Sequence, residues 1–241
     1  MKAIAIGSDI SSNDISVSKS LIENVQNNLY KIKDLGAEKV SLTNVTGDDI
    51  VISAFVKDEL VEKINNGIVN VLEECAEDIG DLKGISKNKE NAGEGISYAE
   101  AKIHQDRFPD ALILAFDTYY GESFVSDVAN SAIEAAYRMK GLTDISKKIE
   151  NETREIPGVG FVSNETDDPV VLATIENMRS VGIIAGAMVG AALGNQNVYL
   201  VERGTPSNIM PGSVILSVSA FLNGNIMDLA IPFQQRTRIL R

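Results

Sequence analysis

The chain has 241 residues, with 34 acidic against 22 basic side chains and a formal charge of -12; nucleic-acid binders show the opposite balance, with clustered Lys and Arg that displace counterions. Its length allows a substantial buried core, and the lone Cys75 excludes an internal disulfide framework and a cysteine-based zinc cluster, so no nucleic-acid partner and a reducing, cytoplasmic setting are expected. Residues 1–7 are too short for a signal sequence, and the longest apolar run, about residues 181–193, falls well below the ~20 residues of a bilayer span; no membrane role is expected.

Residues 2–7 read as a buried strand, followed by a polar turn and an amphipathic helix carrying Val17, Leu21, Val25, Leu29 and Ile32 and ending at Gly36. Two β-rich runs, 39–44 and 50–56, flank Gly47-Asp48-Asp49, and a second helix is expected over 57–79. This β-α-β-β-α order begins a ferredoxin-like or palm-type sandwich, with both helices on one face of an antiparallel sheet. Residues 85–91 are polar and basic and read as a loop. Ser97 and Glu100 then stand at capping-box spacing, which predicts a short helix. On it, His104 would share a face with Glu100. A Ser-His-Asp hydrolase would have to run through this sole histidine, and no Gly-x-Ser-x-Gly elbow accompanies it.

The apolar run 111–116 predicts a strand ending in Asp117, with a long helix over 123–140. Residues 142–155 are charged and lack an apolar period, so they are expected to join two halves of one compact domain, about 1–141 and 156–241. The second half opens with a strand over 159–163. Pro169 after Asp168 fits the first position of a capped helix. Residues 183–193 are apolar all round, which predicts a central helix, and Gly182, Gly186, Gly190 and Gly194 keep near one face that something should approach closely. Runs 198–201, 214–218 and 226–231 read as further strands.

Asp9, Asp117 and Asp167-Asp168 each follow a predicted strand, and Asp48-Asp49 sit in a hairpin turn. Carboxylates so placed suit Mg²⁺, which takes a few carboxylates plus substrate phosphate oxygens; Asp is also common as a helix cap and in turns. The loop Arg203-Gly204-Thr205-Pro206-Ser207-Asn208 offers a cation, hydroxyls and backbone amides that suit a phosphate, or serves as an ordinary turn.

The order of Asp9-Ile10, Gly47-Asp48-Asp49, Gly93-x-Gly95 leading to Ala99-Glu100, a strand into Asp117, and Asp167-Asp168-Pro169-Val170 resembles the archaeal-type (class V) fructose-1,6-bisphosphate aldolase/phosphatase. The likeness spans residues 2 to about 170, and beyond that rests on Asn223-Gly224 and Asp228-Leu229. It implies a layered α-β-β-α sandwich of α/β (α+β) class, a homo-oligomer, and Mg²⁺ held by Asp9, Asp48, Asp49, Asp117, Asp167 and Asp168. Gly93, Gly95, Lys102 and Arg203 are the candidate contacts to a small phosphorylated metabolite. The chain is shorter than the family's usual length. Thr166 stands where the family carries its Schiff-base lysine, and a hydroxyl cannot form that imine, so aldolase activity is not expected. Ser11, Ser12, Asn13 and Asp14 replace the family's histidine-bearing segment. The expectation is a Mg²⁺-dependent phosphatase-like enzyme; the alternative is a non-catalytic paralogue that serves as an oligomeric binding or assembly component.

Overall fold

Runs of β-branched residues alternate with amphipathic helices along the chain, and the computed structural model, which describes residues 1–77, 95–104, 109–120, 122–149, 152–163, 168–209 and 211–231, folds them into two face-to-face sheets. The first sheet forms from β1 (Lys2–Asp9), β2 (Lys39–Thr46), β3 (Asp49–Val56) and β4 (Ile96–Lys102), with α1 (Lys19–Asp34) after β1 and α2 (Val61–Cys75) after β3. Its strands pair antiparallel in the order β2-β3-β1-β4, the order of a ferredoxin-like βαββαβ unit.

The same topology recurs in the second half. There β5 (Asp110–Tyr119), α3 (Glu122–Tyr137), β6 (Leu142–Ile145), β9 (Val170–Ile175), α4 (Met178–Leu193) and β11 (Ser213–Leu222) give the antiparallel order β11-β5-β9-β6. A separate hairpin of β7 (Thr153–Ile156) and β8 (Gly160–Ser163) is inserted between β6 and β9. The short strands β10 (Val198–Leu200) and β12 (Asn225–Asp228) pair with the outer side of β11.

Three apolar layers hold this α+β sandwich together. Leu21, Val25 and Ile32 of α1, with Ile64, Ile68 and Leu72 of α2, pack on Ile4, Ile6 and Ile52. Val125 and Ile133 of α3, with Ile184 and Met188 of α4, pack on Leu112, Leu114 and Leu216. Between the sheets the side chains are mostly small: Ala3, Ala5, Ala99 and Ala101 meet Ala111, Ile113, Ala115 and Leu172, and Phe55 and Phe221 stack with ring centroids 4.8 Å apart. Burying each large side chain of these layers contributes roughly 1.5–3 kcal/mol.

Four expectations from local sequence are overturned by tertiary pairing. The helix expected from Ser97 is β4: Ile96 and Tyr98 face the helix layer while Ala99 and Ala101 face the other sheet, a period of two that pairing with β1 enforces over the capping-box signal. His104 therefore lies exposed beyond the end of a strand and shares no helical face with Glu100. Pro169 precedes strand β9, not a helix; its six residues, held between β5 and β6, are buried on both faces. Residues 142–155 carry β6 and part of β7, and the chain passes from the first sheet to the second between β4 and β5. Finally, α4 is not central: Ile183 is 65% exposed, and nothing lies within 4 Å of a Cβ placed on Gly182, Gly186 or Gly190. The expected loop over 85–91 lies outside the described residues.

Gly7 lets β1 pack tightly on both neighbours, since a Cβ there would stand 2.6 Å from Ser97 Oγ on adjacent β4 and 2.8 Å from Val170 Cγ2 on β9 of the second sheet. Gly7→Val is expected to destabilise the fold by about 1–3 kcal/mol through overpacking, read as a lower urea midpoint at unchanged slope.

Candidate metal centre

Strand register places the acids. β1 and β3 pair so that Asp9 stands directly opposite Asp49, and the Gly47 turn, with φ at +59°, sets Asp48 beside it. In the second sheet the register Ala115↔Val170 continues through the Phe116 N–H, which donates to the Pro169 carbonyl at 3.1 Å. Asp117 follows Phe116 on β5 and Asp168 precedes Pro169, so both acids lie just past the end of this pairing, and both act on Asp49. Each sheet thus presents a carboxylate pair at one topological place, the end of its first strand beside the start of its third.

Face-to-face packing brings the two pairs together. A Cβ on Gly47 would stand 1.6 Å from Asp117 Oδ2 and 3.0 Å from Ser207 Cβ, so the first sheet's turn lies against the second sheet's carboxylate and only glycine fits. Asp48, Asp49, Asp117 and Asp168 are each at most 7% exposed. Burial, then the charges of Asp168, Asp117 and Asp48, and a side-chain hydrogen bond with Asp168 hold Asp49 well above its ordinary 3.8. Asp49 Oδ1 is buried with no hydrogen-bond partner. Two ionised carboxylates ~4 Å apart repel by about 4 kcal/mol at an effective dielectric of 20; a divalent cation between them reverses that sign.

Carboxylate oxygens of Asp9, Asp14 and Asp48 all lie within 4.8 Å of one another. Asp48 therefore belongs to this trio and also acts on Asp49, which links the two groups. The donor set is all oxygen and suits a hard cation such as Mg²⁺. Sequence reasoning took Asp14 as part of a replaced segment. The sequence signal for it as a candidate is an acid five residues past a strand-end Asp in a polar turn; in the structure it stands at φ +51°.

Five of the six expected acids thus fall in one region, and Asp167 lies outside the described residues, as do Gly93 and Thr166. Gly95 adjoins the centre: its carbonyl accepts the Asp9 N–H at 3.2 Å and the Ser8 hydroxyl at 3.0 Å. The Arg203 loop docks on the acidic hairpin, with Gly204 N–H donating to the Val45 carbonyl and Gly47 N–H to that of Thr205. The carboxylate that acts on the half-buried Arg203, however, is Asp228, which also accepts the Arg203 N–H at 2.9 Å. Lys102 is not at this centre. It pairs with Lys2, at the opposite end of β1 from Asp9, because extended β1 carries its two ends far apart.

Over residues 2–237 the chain matches the model of the family described as uncharacterised conserved protein UCP005278, and it belongs to that family. An uncharacterized protein of Methanothermobacter thermautotrophicus is 61% identical over 241 residues, covering 100% of this chain and 98% of its own. The uncharacterized protein MJ1676 of Methanocaldococcus jannaschii is 43% identical over 227 residues, with 94% of each chain covered. Among solved structures, an anthrone oxidase-like protein aligns over 94% of this chain and 92% of its own at 9% identity, with a TM-score of 0.30, a likeness too slight to carry an argument.

The raised Asp49 has a measurable consequence. In the interval between 3.8 and its folded value, the folded chain binds more protons than the unfolded chain, so its contribution to stability falls as pH rises through that interval. In EDTA, Asp49→Asn is expected to gain stability relative to the unaltered protein as pH is raised from roughly 4 to 7, reaching about 1–3 kcal/mol. Thermal unfolding midpoints measured across that range check it, and parallel curves for the two proteins would contradict it.

Proposed function

We propose that this protein is a Mg²⁺-dependent phosphatase-like enzyme acting on a small phosphorylated metabolite of the sugar-phosphate class, working in the cytoplasm. The observation that carries the reading is the meeting of buried carboxylates from two sheets, with Asp49 held above its ordinary range by its neighbours. Asp9, Asp14 and Asp48 would hold one cation, and Asp49, Asp117 and Asp168 would hold another or share it through Asp48. Bound there, Mg²⁺ would supply charge neutralisation to a phosphoryl group. The chain's own groups would do the rest: the Gly204 and Thr205 backbone docks the loop against the hairpin, and Ser207, its hydroxyl bonded to the Ile15 carbonyl at 3.3 Å, fixes the Asp14 loop. Aldol chemistry through an imine is not part of the proposal, since Thr166 cannot form one.

Calorimetric titration with Mg²⁺ and Mn²⁺ is expected to give saturable binding. Asp48→Asn and Asp117→Asn should each weaken it by at least about 10–100-fold, the loss typical even of outer-shell partners. Release of inorganic phosphate from a panel of sugar phosphates should follow the same order. Absence of metal binding by the folded chain would remove the proposal.

One observation favours the second reading, a non-catalytic component of an oligomer. The outer face of α4 exposes Met178, Ile183 and Leu193 beside its glycines, with no charged side chain from residue 180 to 193. Such a face suits close helix contact. Sedimentation equilibrium is expected to give a mass above 25.9 kDa, and Ile183→Lys to return the chain to a monomer without changing metal affinity.

A further inference from the structure

Away from the carboxylates, a cleft of about 600 Å³ opens where β4 meets β6 and β7. Lys102 on its rim stands opposite Lys2, seven residues along β1 from Asp9, or about 23 Å at the rise of an extended strand. In a chain where acids outnumber bases, this cleft reverses the balance, with four basic to three acidic residues in its lining.

Arg154 is the central cation of the wall. Its Nη2 donates to the Tyr98 carbonyl at 2.9 Å, and its guanidinium lies 6.0 Å from the centroid of the Tyr98 ring. Its Nε is buried with no hydrogen-bond partner, and the residue forms no ion pair among the described residues. Burial draws its guanidinium below the ordinary value. Of the three carboxylates in the lining, Glu100 takes Lys2 Nζ on both oxygens at 3.0 Å and the Tyr98 hydroxyl at 3.0 Å, Asp144 accepts the Lys102 backbone N–H at 2.6 Å, and Glu155 is exposed. Lys102 and Lys147 stand exposed on the same cleft and likewise lack ion pairs among the described residues. Glu100 acts on the Arg154 guanidinium only from beyond ion-pair distance; a half-buried guanidinium with no carboxylate in direct contact is costly, and a planar fork beside an aromatic ring matches a carboxylate or phosphate group.

We infer that this cleft binds a small organic anion, its carboxylate or phosphate group held by Arg154 and Lys147 and its body set against Tyr98 and Tyr137. The site is separate from the metal centre and stands whether or not that centre is catalytic. The chain has no tryptophan, and two of its six tyrosines, Tyr98 and Tyr137, line the cleft, so a change in tyrosine emission on binding is expected to include their response. Inorganic phosphate and succinate are titrated in EDTA at constant ionic strength, with chloride as the control, and emission and thermal midpoint are followed. Saturation by phosphate or by succinate but not chloride is expected, and the arm that saturates at lower concentration names the acidic group. Arg154→Gln should weaken that response by about 10-fold or more, while Asp48→Asn leaves it unchanged. If Arg154→Gln does not fold, Lys147→Glu, at an exposed position, takes its place with the same expected loss. No saturable response to either anion, an equal response in the cleft variants, or loss of the response in Asp48→Asn overturns the inference.

Discussion

Asp49 on the first sheet feels Asp117 and Asp168 on the second only because the sheets lie close together, and the layer between them makes that approach possible. Facing sheets ordinarily stand about 10 Å apart with large side chains interdigitating. Here much of the layer is alanine, Gly7 leaves no room for a Cβ, and the bulk is confined to Phe55, Phe221 and a few aliphatic residues. Enlarging that layer would separate the sheets and with them the carboxylates, so the packing of the core and the chemistry of its rim are one constraint.

The repeated strand order gives that constraint its form. In each ferredoxin-like unit the end of the first strand lies beside the start of the third, and each unit carries acids there: Asp9 with Asp49, Asp117 with Asp168. Two copies of one topology, packed face to face, bring both sets of acids to a single rim. The far end of the same strands is different in kind. There Arg154, Lys102 and Lys147 stand around a cleft in whose lining basic residues outnumber acidic ones four to three, against the balance of the chain as a whole. Ligands of opposite sign are thereby suited to opposite ends.

Periodicity and turn residues made much of the first unit legible. The amphipathic repeat of α1, the glycine at φ +111° after it and the β2–β3 hairpin around Gly47 all carry strong local signals. The strand-end aspartates were legible for the same reason. Local signals failed where pairing decided. Ser97 to Glu100 has the spacing of a helix cap, yet β1 offered an unpaired edge and two facing cores to fill. The apolar run of α4 looked like an interior helix, but it covers the outside of a sheet and leaves its glycine face to solvent.

By itself, the sequence determined the elements whose patterns repeat within a few residues, the acidic balance, and the presence of carboxylates near strand ends and in a hairpin turn. Tertiary structure alone decided which acids meet, because register across a sheet and distance between sheets depend on residues far apart in the chain. It added Asp14 through a left-handed turn, moved Lys102 to the opposite end of β1, and gave Arg154 a cleft. Carboxylates attract or repel according to their separation in space, and for residues as distant in sequence as Asp49 and Asp168 only the packed sheets fix that separation.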